Sequence, residues 1–224
     1  MSDEQSPPRP SPLRVGRWRR RVALSGLLSA LLLAVGAGAL WAYVAGLGPL
    51  DLSAAERRST VVLDREERLL RPFASEDGRW RLPIATGDVD PRYLAMLEAY
   101  EDAHFRKHHG VDLLALGRAL GQLATHGRVI SGGSTLTMQV ARLLEPREER
   151  SLTAKLRQVV RAVQLEQRLS KAEILTLYLS LAPYGGNLEG ARAAALSYFG
   201  REPKRLSFAE AALLVALPQS PEAR

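Results

Sequence analysis

Residues 101–110 read EDAHFRKHHG, and the rest of the chain is organised around them. The segment places two carboxylates, three imidazoles and two cationic side chains within ten residues. Burying so many titratable groups would cost too much free energy for a hydrophobic core, so we expect the segment to line a cleft. We interpret Glu101 as the candidate catalytic carboxylate of that cleft.

The positive charge of the chain is concentrated at its N-terminus. The 224 residues carry a formal net charge of +7, of which residues 1–21 supply +4 through six arginines and two acidic residues. The remaining +3 gives little support to nucleic-acid binding. The chain contains no cysteine, which excludes disulfides and thiolate metal sites.

An uncharged segment follows the arginines and runs from Val22 to Leu50. About 20 helical residues cross a bilayer core of about 30 Å, so this segment is long enough to span it. The arginines before it and Asp51 after it predict a cytoplasmic N-terminus and a catalytic domain outside the cytoplasm. The alternative is a cleaved signal peptide, since residues 37–39 resemble a cleavage site. The length of the segment and the aromatic residues beyond that site favour a retained anchor.

The sequence predicts four consecutive parts. They are a basic cytoplasmic tail at 1–21, a transmembrane anchor at 22–47, an extended or β connector at 48–89 and a helical domain at 90–224. The first 13 residues are rich in proline and serine, which predicts disorder. The connector is predicted from a β-branched run at 60–63 and from the turn signal Asp77-Gly78, followed by an apolar run at 80–84. A small hairpin or pair of strands is the expected result.

The helical domain begins at Asp90-Pro91, an N-cap followed by proline at the first helical position. Apolar residues at helical spacing carry this helix to Glu101 at its C-terminal end. Further helices are predicted from Asp112 to about Ala124, from Ser134 or Thr135, from Ser151 to about Leu169, from the capping box at 170–173, over 188–199 up to Gly200, and from the capping box at 207–210 to Pro218. The helix after Ser151 is predicted to bury Leu152, Leu156, Val159, Val160 and Val163.

Two further clusters carry chemistry. Residues 132–139, GGSTLTMQ, offer three hydroxyls and an amide that suit sugar hydroxyls or phosphate oxygens, and the alternative is an ordinary cap on a core helix. A basic region contains Arg142, Arg150, Lys155 and Arg157, and the alternative there is a solvated helix face. The segment 128–133 between them is predicted to be a loop.

Together and in this order, these blocks resemble the peptidoglycan glycosyltransferase domain of glycosyltransferase family 51. The matching blocks are E-D-x-x-F-x-x-H-x-G at 101–110, G-x-S-T-x-T-x-Q at 132–139, Lys155, and K-x-x-I-L-x-x-Y-L at 171–179. Residues 182–190, APYGGNLEG, look like the 1C-type branch of class A penicillin-binding proteins. The resemblance covers about residues 60–224.

The resemblance implies a mainly α, lysozyme-like glycosyltransferase domain preceded by a single transmembrane helix and a short β connector. The implied reaction polymerises lipid II into glycan strands, with inversion at the sugar carbon and release of undecaprenyl diphosphate. The implied partners are lipid II, the growing glycan strand and the bilayer of the bacterial inner membrane, with cell-wall synthesis proteins as candidates. A divalent cation, Mg²⁺ or Mn²⁺, is a candidate cofactor.

Carried over residue by residue, the resemblance assigns the catalytic positions to Glu101 and Gln158. It assigns substrate binding to Asp102, Phe105, His108, Ser134, Thr135, Thr137, Gln139, Arg142 and Lys155. Gln158 stands where the family usually has a second glutamate, and a glutamine cannot carry charge or a proton. Glu166 and Glu189 are candidate replacements for that carboxylate.

Three other readings of the sequence stay open. A lysozyme-like lytic enzyme would also place a glutamate at a helix end. His104 and His108, spaced i, i+4, could begin a zinc site but lack an evident third ligand. A non-catalytic membrane scaffold is the third reading. The chain has no Ser-x-x-Lys motif, so we expect no transpeptidase site in it and expect it to be a fragment of a bifunctional enzyme.

Overall fold

The computed structural model describes residues 13–126, 133–146 and 151–219. Helices dominate these residues, as predicted. They are α1 (Leu13–Gly46), α2 (Ser53–Glu56), α3 (Pro91–Glu101), α4 (Leu113–His126), α5 (Leu136–Leu144), α6 (Leu152–Arg168), α7 (Lys171–Leu181), α8 (Ala191–Phe199) and α9 (Phe208–Ala216), with 3-10 turns at Thr86–Asp88 and Leu217–Gln219. The predicted disordered tail up to residue 12, the loop residues 127–132 and Arg150 lie outside the described residues.

The few strands lie mostly in the connector. Strands β1 (Val61–Leu63) and β2 (Leu69–Pro72) form an antiparallel hairpin, with a register shift at the end of β1. Strand β3 (Trp80–Arg81) pairs in parallel with β4 (Leu188–Glu189). The second pairing joins the connector to the segment that follows α7, so the two pack as parts of one unit.

The chain divides into two compact units, Met1–Pro49 and Leu50–Arg224. In the first unit the described residues form α1. Its segment Trp18–Gly46 has 29 residues and contains an 18-residue stretch with a mean hydropathy of 2.1, and among the described helices it is the one long and apolar enough to cross a membrane. One apolar N-terminal helix therefore fits a single span. The helix begins at Leu13, upstream of the predicted start at Val22. A signal sequence meets the same criterion, so the retained anchor stays a prediction.

The core of the second unit surrounds three fully buried tyrosines. Tyr93 of α3, Tyr178 of α7 and Tyr184 after α7 are each at most 1% exposed. Helix α5 packs against α6 and α7, and α3 packs against α9. The apolar side chains around the tyrosines include Leu97, Leu136, Val140, Ile174, Leu179, Ala194 and Leu214.

Helix α3 begins at a carboxylate that also joins it to the segment before α9. Asp90 accepts hydrogen bonds from the backbone N–H groups of Arg92 at 2.9 Å and Leu206 at 3.0 Å, and pairs with the Arg92 guanidinium at 2.9 Å. Pro91 occupies the first helical position, as predicted. The Arg92 side chain first, and then the two backbone N–H groups, hold the pKa of Asp90 well below its usual value of 3.8.

Three other predicted helix starts are confirmed. The hydroxyl of Thr135 accepts from the backbone N–H of Met138, and Ser170 and Ser207 form the predicted capping boxes. Each cap satisfies backbone N–H groups that a helix start leaves without an intrahelical partner.

The predicted apolar face of α6 is largely wrong. Leu152 is 90% exposed, and Leu156 and Val163 are also exposed, whereas α6 buries Val160, Arg161, Ala162 and Leu165. A pattern of apolar residues alone cannot place a buried arginine on the inner face. Arg161 can be buried there because it pairs with Glu145, from the end of α5, at 2.8 Å.

The predicted helix over 188–199 begins later than expected. Leu188 and Glu189 form β4, Gly190 has φ of +85°, and the helix starts at Ala191. It ends at Gly200 in the left-handed conformation, as predicted. Pairing with β3 holds the two residues extended, and this long-range contact has no signal in the local sequence.

Gly110 is the last residue of the segment 101–110, which we call the decapeptide. It lies where the backbone of α6 comes close to this segment. A Cβ at this position would lie 2.8 Å from the carbonyl carbon and oxygen of Ala162, and its φ is +93°. Only glycine satisfies both constraints, so this residue fixes the approach of the 101–110 segment to α6.

We expect Gly110→Ala to destabilise the protein by about 2–4 kcal/mol, because it adds left-handed backbone strain to a backbone clash. Chemical denaturation of the full chain in detergent, followed by helical circular dichroism, measures this loss. The control Gly121→Ala lies on α4 with open space around it, and we expect it to be neutral or to stabilise by up to about 1 kcal/mol. Equal stability of the two variants would contradict the close approach.

We expect Asp90→Asn to lower Tm at neutral pH, because the variant loses the paired carboxylate. The folded-state pKa of Asp90 is depressed, so its stabilisation is present above the unfolded value of 3.8 and disappears as pH falls through the folded pKa. The Tm gap from the parent should therefore shrink in acid. Thermal unfolding over a pH series checks this, with the exposed Glu76→Gln as control; a gap that widens in acid would refute the assignment.

Candidate active site

Glu101 is the last residue of α3, half-buried, and both of its carboxylate oxygens accept hydrogen bonds. Gln139 donates from Nε2 to Oε2 at 2.7 Å, and Gln219 donates from Nε2 to Oε1 at 2.9 Å. The amides come from α5 and from the 3-10 turn after α9, so three helical segments meet at this carboxylate. Gln139 is one of the predicted site residues. Gln219 is not, because a single glutamine after a helix carries no recognisable pattern.

Buried tyrosine hydroxyls lie close to Glu101. The hydroxyl oxygens of Tyr93 and Tyr184 are 2.8 Å apart, and Tyr198 donates to the backbone carbonyl of Tyr184 at 2.6 Å. Burial raises the pKa of the Tyr93, Tyr178 and Tyr184 hydroxyls, and the negative charge of Glu101 raises each of these pKa values further. The hydroxyls therefore stay neutral, and this side of the carboxylate carries no competing charge.

The two residues of the decapeptide that form its internal tie are Asp102 and His108. The His108 Nε2 lies 2.9 Å from Asp102 Oδ2, and the backbone N–H of Gly110 donates to His108 Nδ1 at 3.2 Å. Because Nδ1 accepts a hydrogen bond, the ring proton resides on Nε2 and points to Asp102. Asp102 Oδ2 also accepts from the backbone N–H of Leu136 at 2.9 Å. Both side chains are buried, so their predicted contact with substrate stays a prediction.

A second tie runs from the decapeptide to α6 and α7. Lys171 Nζ donates to the His108 carbonyl at 2.7 Å, pairs with Glu166 at 2.6 Å and lies 4.5 Å from the centroid of the Phe105 ring. Glu166 also accepts from the Thr137 hydroxyl at 2.6 Å. Phe105 and Thr137 are at most 1% exposed, so both lie below the surface and their predicted contact with substrate stays a prediction.

The block at 132–139 divides between support and site. Thr135 caps α5 and donates to the Gly110 carbonyl at 2.6 Å, which joins this block to the decapeptide. Ser134 is half-buried beside it, and Gln139 reaches Glu101. The alternative reading as a helix cap is therefore correct for Thr135, while Gln139 takes part in the site itself.

A groove of about 950 Å³ lies between the end of α5, the first half of α6 and the connector. It contains the predicted residues Arg142, Lys155 and Gln158, so the structure brings these three together. Glu101 does not line this groove. The link between the two places is α5, which carries Gln139 toward Glu101 and Arg142, one turn later, into the groove.

Seven cationic side chains and three carboxylates line the groove among the described residues. Five of the cations lie in ion pairs with those carboxylates: Arg57 and Arg81 with Asp77, Arg79 and Arg81 with Glu189, and Arg157 and Arg161 with Glu145. Partial burial, and then the nearby Arg142 guanidinium, lower the pKa of Lys155. The groove therefore carries net positive charge that favours an anion.

The two candidate replacements for the missing carboxylate occupy different places. Glu166 is held by Lys171 and Thr137 away from the groove, whereas Glu189 lines the groove. Glu145 also lines it, although the sequence analysis does not select that residue. A glutamate just after a helix is too common for local pattern to identify.

The zinc reading of the two histidines finds no support in the structure. His104 Nδ1 lies 2.7 Å from Asp112 Oδ2, and His108 is bound to Asp102. In the described parts of the chain, no group of three histidine, aspartate or glutamate side chains could hold a metal ion. The histidines instead stabilise the turns on either side of them.

Comparison with known proteins gives a match to the family model described as transglycosylase over residues 66–224. Penicillin-binding protein 1C of Escherichia coli (strain K12) is 50% identical over 206 residues, which cover 92% of this chain and 25% of that protein. Penicillin-binding protein 1A of Pseudomonas aeruginosa is 39% identical over 155 residues, or 66% of this chain and 19% of that protein. The chain thus spans about a quarter or less of the length of these relatives.

We expect Asp102→Ala to destabilise the protein by about 2–4 kcal/mol, because it leaves the buried His108 Nε2–H and the Leu136 N–H without an acceptor. Denaturant unfolding in detergent measures the change. Asp112→Ala is the matched control, since it removes a carboxylate from a half-exposed histidine and from the backbone N–H of Ala115 at the start of α4, and should cost only about 1 kcal/mol. Equal losses would show that Asp102 is not a buried junction.

Proposed function

Because this chain belongs to the transglycosylase family, we propose that its second unit is a peptidoglycan glycosyltransferase that polymerises lipid II into glycan strands. The proposed reaction joins the 4-hydroxyl of the acceptor N-acetylglucosamine to C1 of the lipid-linked muramic sugar. The new bond forms with inversion, and the bond from C1 to the diphosphate of undecaprenyl diphosphate breaks. Other activities of the longer relatives lie outside this proposal.

Glu101 is proposed as the general base. Its carboxylate is half-buried and held by two neutral amides, so it can accept a proton from a hydroxyl placed within about 3 Å. The tyrosine hydroxyls near Glu101 are uncharged, so none of them forms an ion pair with its carboxylate. Removing the proton makes the acceptor oxygen nucleophilic as it attacks C1.

Arg142 and Lys155 are proposed to stabilise the leaving group. Charge builds on the diphosphate as its bond to C1 breaks, and fixed cations lower the free energy of that transition state. The depressed pKa of Lys155 follows from partial burial and from Arg142 nearby, and an anion between the two would relieve their repulsion. Gln158 lines the same groove and can offer a neutral amide hydrogen bond there.

One observation supports this assignment most directly: a single face of α5 carries both halves of the chemistry. Gln139 fixes Glu101, and Arg142, three residues on, lines the cationic groove. Residues spaced i, i+3 lie on the same side of a helix, so α5 sets the spacing between base and leaving-group site. Such fixed geometry accounts for a large part of the rate in transfer reactions between two bound substrates.

The described residues do not fit a dedicated site for a divalent cation. The three groove carboxylates are in ion pairs with arginines, and no group of three acidic or imidazole ligands is present in the described ranges. The cationic side chains of the groove are therefore proposed to stabilise the charge of the leaving group.

The proposed location is the bacterial inner membrane, with α1 as a single-pass anchor, its N-terminus in the cytoplasm and the catalytic unit on the periplasmic side. The arginines before the apolar segment and the acidic residue after it support this orientation. A lipid-linked substrate stays in the bilayer, so an anchored enzyme would meet it at the membrane surface. Lipid II and the growing glycan strand are the proposed binding partners.

We expect Glu101→Gln to reduce polymerisation of lipid II by about 10²- to 10⁴-fold, because the amide cannot accept the proton. The assay uses the full chain in detergent with lipid II and separates glycan strands by gel electrophoresis. Glu98→Gln is the matched control. It lies one turn earlier on α3 and pairs with Arg106 at the surface, so its rate should stay within about twofold of the parent.

The same assay distinguishes the alternative functions. Polymer from lipid II that disappears in Glu101→Gln supports the transferase. Loss of finished glycan strands without synthesis would instead identify a lytic enzyme. Polymerisation that survives Glu101→Gln in a folded protein would overturn the proposed base, and a folded parent that neither makes nor degrades strands would favour a non-catalytic scaffold.

A further inference from the structure

Glu145, the residue directly after α5, is paired with two groove arginines at once. Its Oε2 accepts from Arg157 Nε at 2.8 Å, and its Oε1 pairs with Arg161 Nη2 at 2.8 Å. The side chains of Glu145 and Arg161 are 17% and 3% exposed, so this cluster is shielded from water on one side and open to the groove on the other. Shielded ion pairs of this kind interact more strongly than those at an open surface.

The ion pairs divide the groove cations into two classes. Arg157 and Arg161 share the single negative charge of Glu145, and the three connector arginines share the two negative charges of Asp77 and Glu189. Across the described ranges, Arg142 and Lys155 have no carboxylate within 4.0 Å. The lowered pKa of Lys155, caused by burial and then by Arg142, agrees with two like charges held close together.

The uncharged side chain at position 158 gives Lys155 no carboxylate partner and leaves Arg161 paired with Glu145. Residue 158 lies one helical turn from both Lys155 and Arg161, where a carboxylate would interact with both cations. The glutamine found there carries no charge, so it neither neutralises Lys155 nor competes with Glu145 for Arg161. The carboxylate of this part of the groove therefore comes from α5 rather than from α6.

We propose that Glu145 is a positioning residue that directs the diphosphate of the substrate to Arg142 and Lys155, because it holds Arg157 and Arg161 in ion pairs and offsets part of their charge. This inference rests on the proposed function. Arg142 lies one turn from Gln139, which holds the proposed base, whereas Glu145 lies a further turn on, just after α5, where it binds two arginines of α6. A diphosphate bound at Arg157 and Arg161 would be displaced from the base by about one helical turn.

Binding of inorganic pyrophosphate to the full chain in detergent tests this inference without requiring activity. We expect Arg142→Gln to weaken binding about tenfold in the parent, because Arg142 is one of two available cations. In the Glu145→Gln background the same change should weaken binding by less than about threefold, because two arginines become available. A double-mutant cycle isolates this coupling, which a purely structural role of Glu145 would not produce.

Two controls frame the cycle. Glu202→Gln breaks a Glu–Arg pair with Arg192 outside the groove, and should leave the effect of Arg142→Gln at about tenfold. If Glu145→Gln does not fold, the parent alone still tests the idea: Arg157→Gln should change pyrophosphate affinity by less than about twofold, against about tenfold for Arg142→Gln. Equal losses for these two arginines would overturn the proposal.

The activity arm separates this inference from the proposed function. With lipid II, we expect Glu145→Gln to lower kcat about tenfold without raising KM, because the diphosphate still binds but is misplaced, and Glu145→Asp to restore part of kcat. A parent that makes no polymer but shows the pyrophosphate coupling would refute the proposed function and keep the role of Glu145. An equal effect of Arg142→Gln in both backgrounds would refute that role, whatever the activity.

Discussion

The carboxylate of Asp102 is the junction on which the site depends. It accepts hydrogen bonds from the Nε2–H group of His108, six residues along the chain, and from the backbone N–H of Leu136, at the start of α5. One buried group therefore fixes the decapeptide and the origin of α5 with respect to each other. Since Glu101 precedes Asp102 and Gln139 lies one turn into α5, this junction also sets the contact between the Glu101 carboxylate and the Gln139 amide. The close approach of Gly110 to Ala162 fixes the position of α6 next to the decapeptide as well.

From that junction, α5 distributes function along one face at intervals of three residues. In the proposed mechanism Gln139 holds the base, Arg142 stabilises the leaving group, and Glu145 offsets part of the charge of two neighbouring arginines. The buried face of this helix packs on α6 and α7, while its polar side chains Gln139 and Arg142 reach Glu101 and the groove. An arrangement on one rigid element keeps the distances between the roles constant.

The sequence predicts the helical class, the position of Glu101 and the helix caps because these depend on short-range signals: proline at a first turn, hydroxyls before glutamates, and glycine at a helix end. It fails where a long-range contact decides the outcome. Arg161 is buried because Glu145 reaches it, and Leu188 is extended because β3 lies beside it. Within the candidate site, Gln139, Arg142, Lys155 and Gln158 could be selected from ordered motifs. Gln219 and Glu145 could not, since each acts through a contact that only the folded chain creates.

The pair of amides at Glu101 has a consequence for the catalytic cycle. A base must be held in place both before and after it takes a proton, and a clamp made of cations would release it on protonation. Each carboxamide presents a donor on one side and an acceptor on the other. Rotation of the Gln139 or Gln219 amide by half a turn would let its oxygen accept from the protonated carboxyl, with no movement of the backbone. The two amides can thus hold Glu101 in either charge state, which suits the proposed reaction, in which the same proton transfer recurs for each sugar unit added.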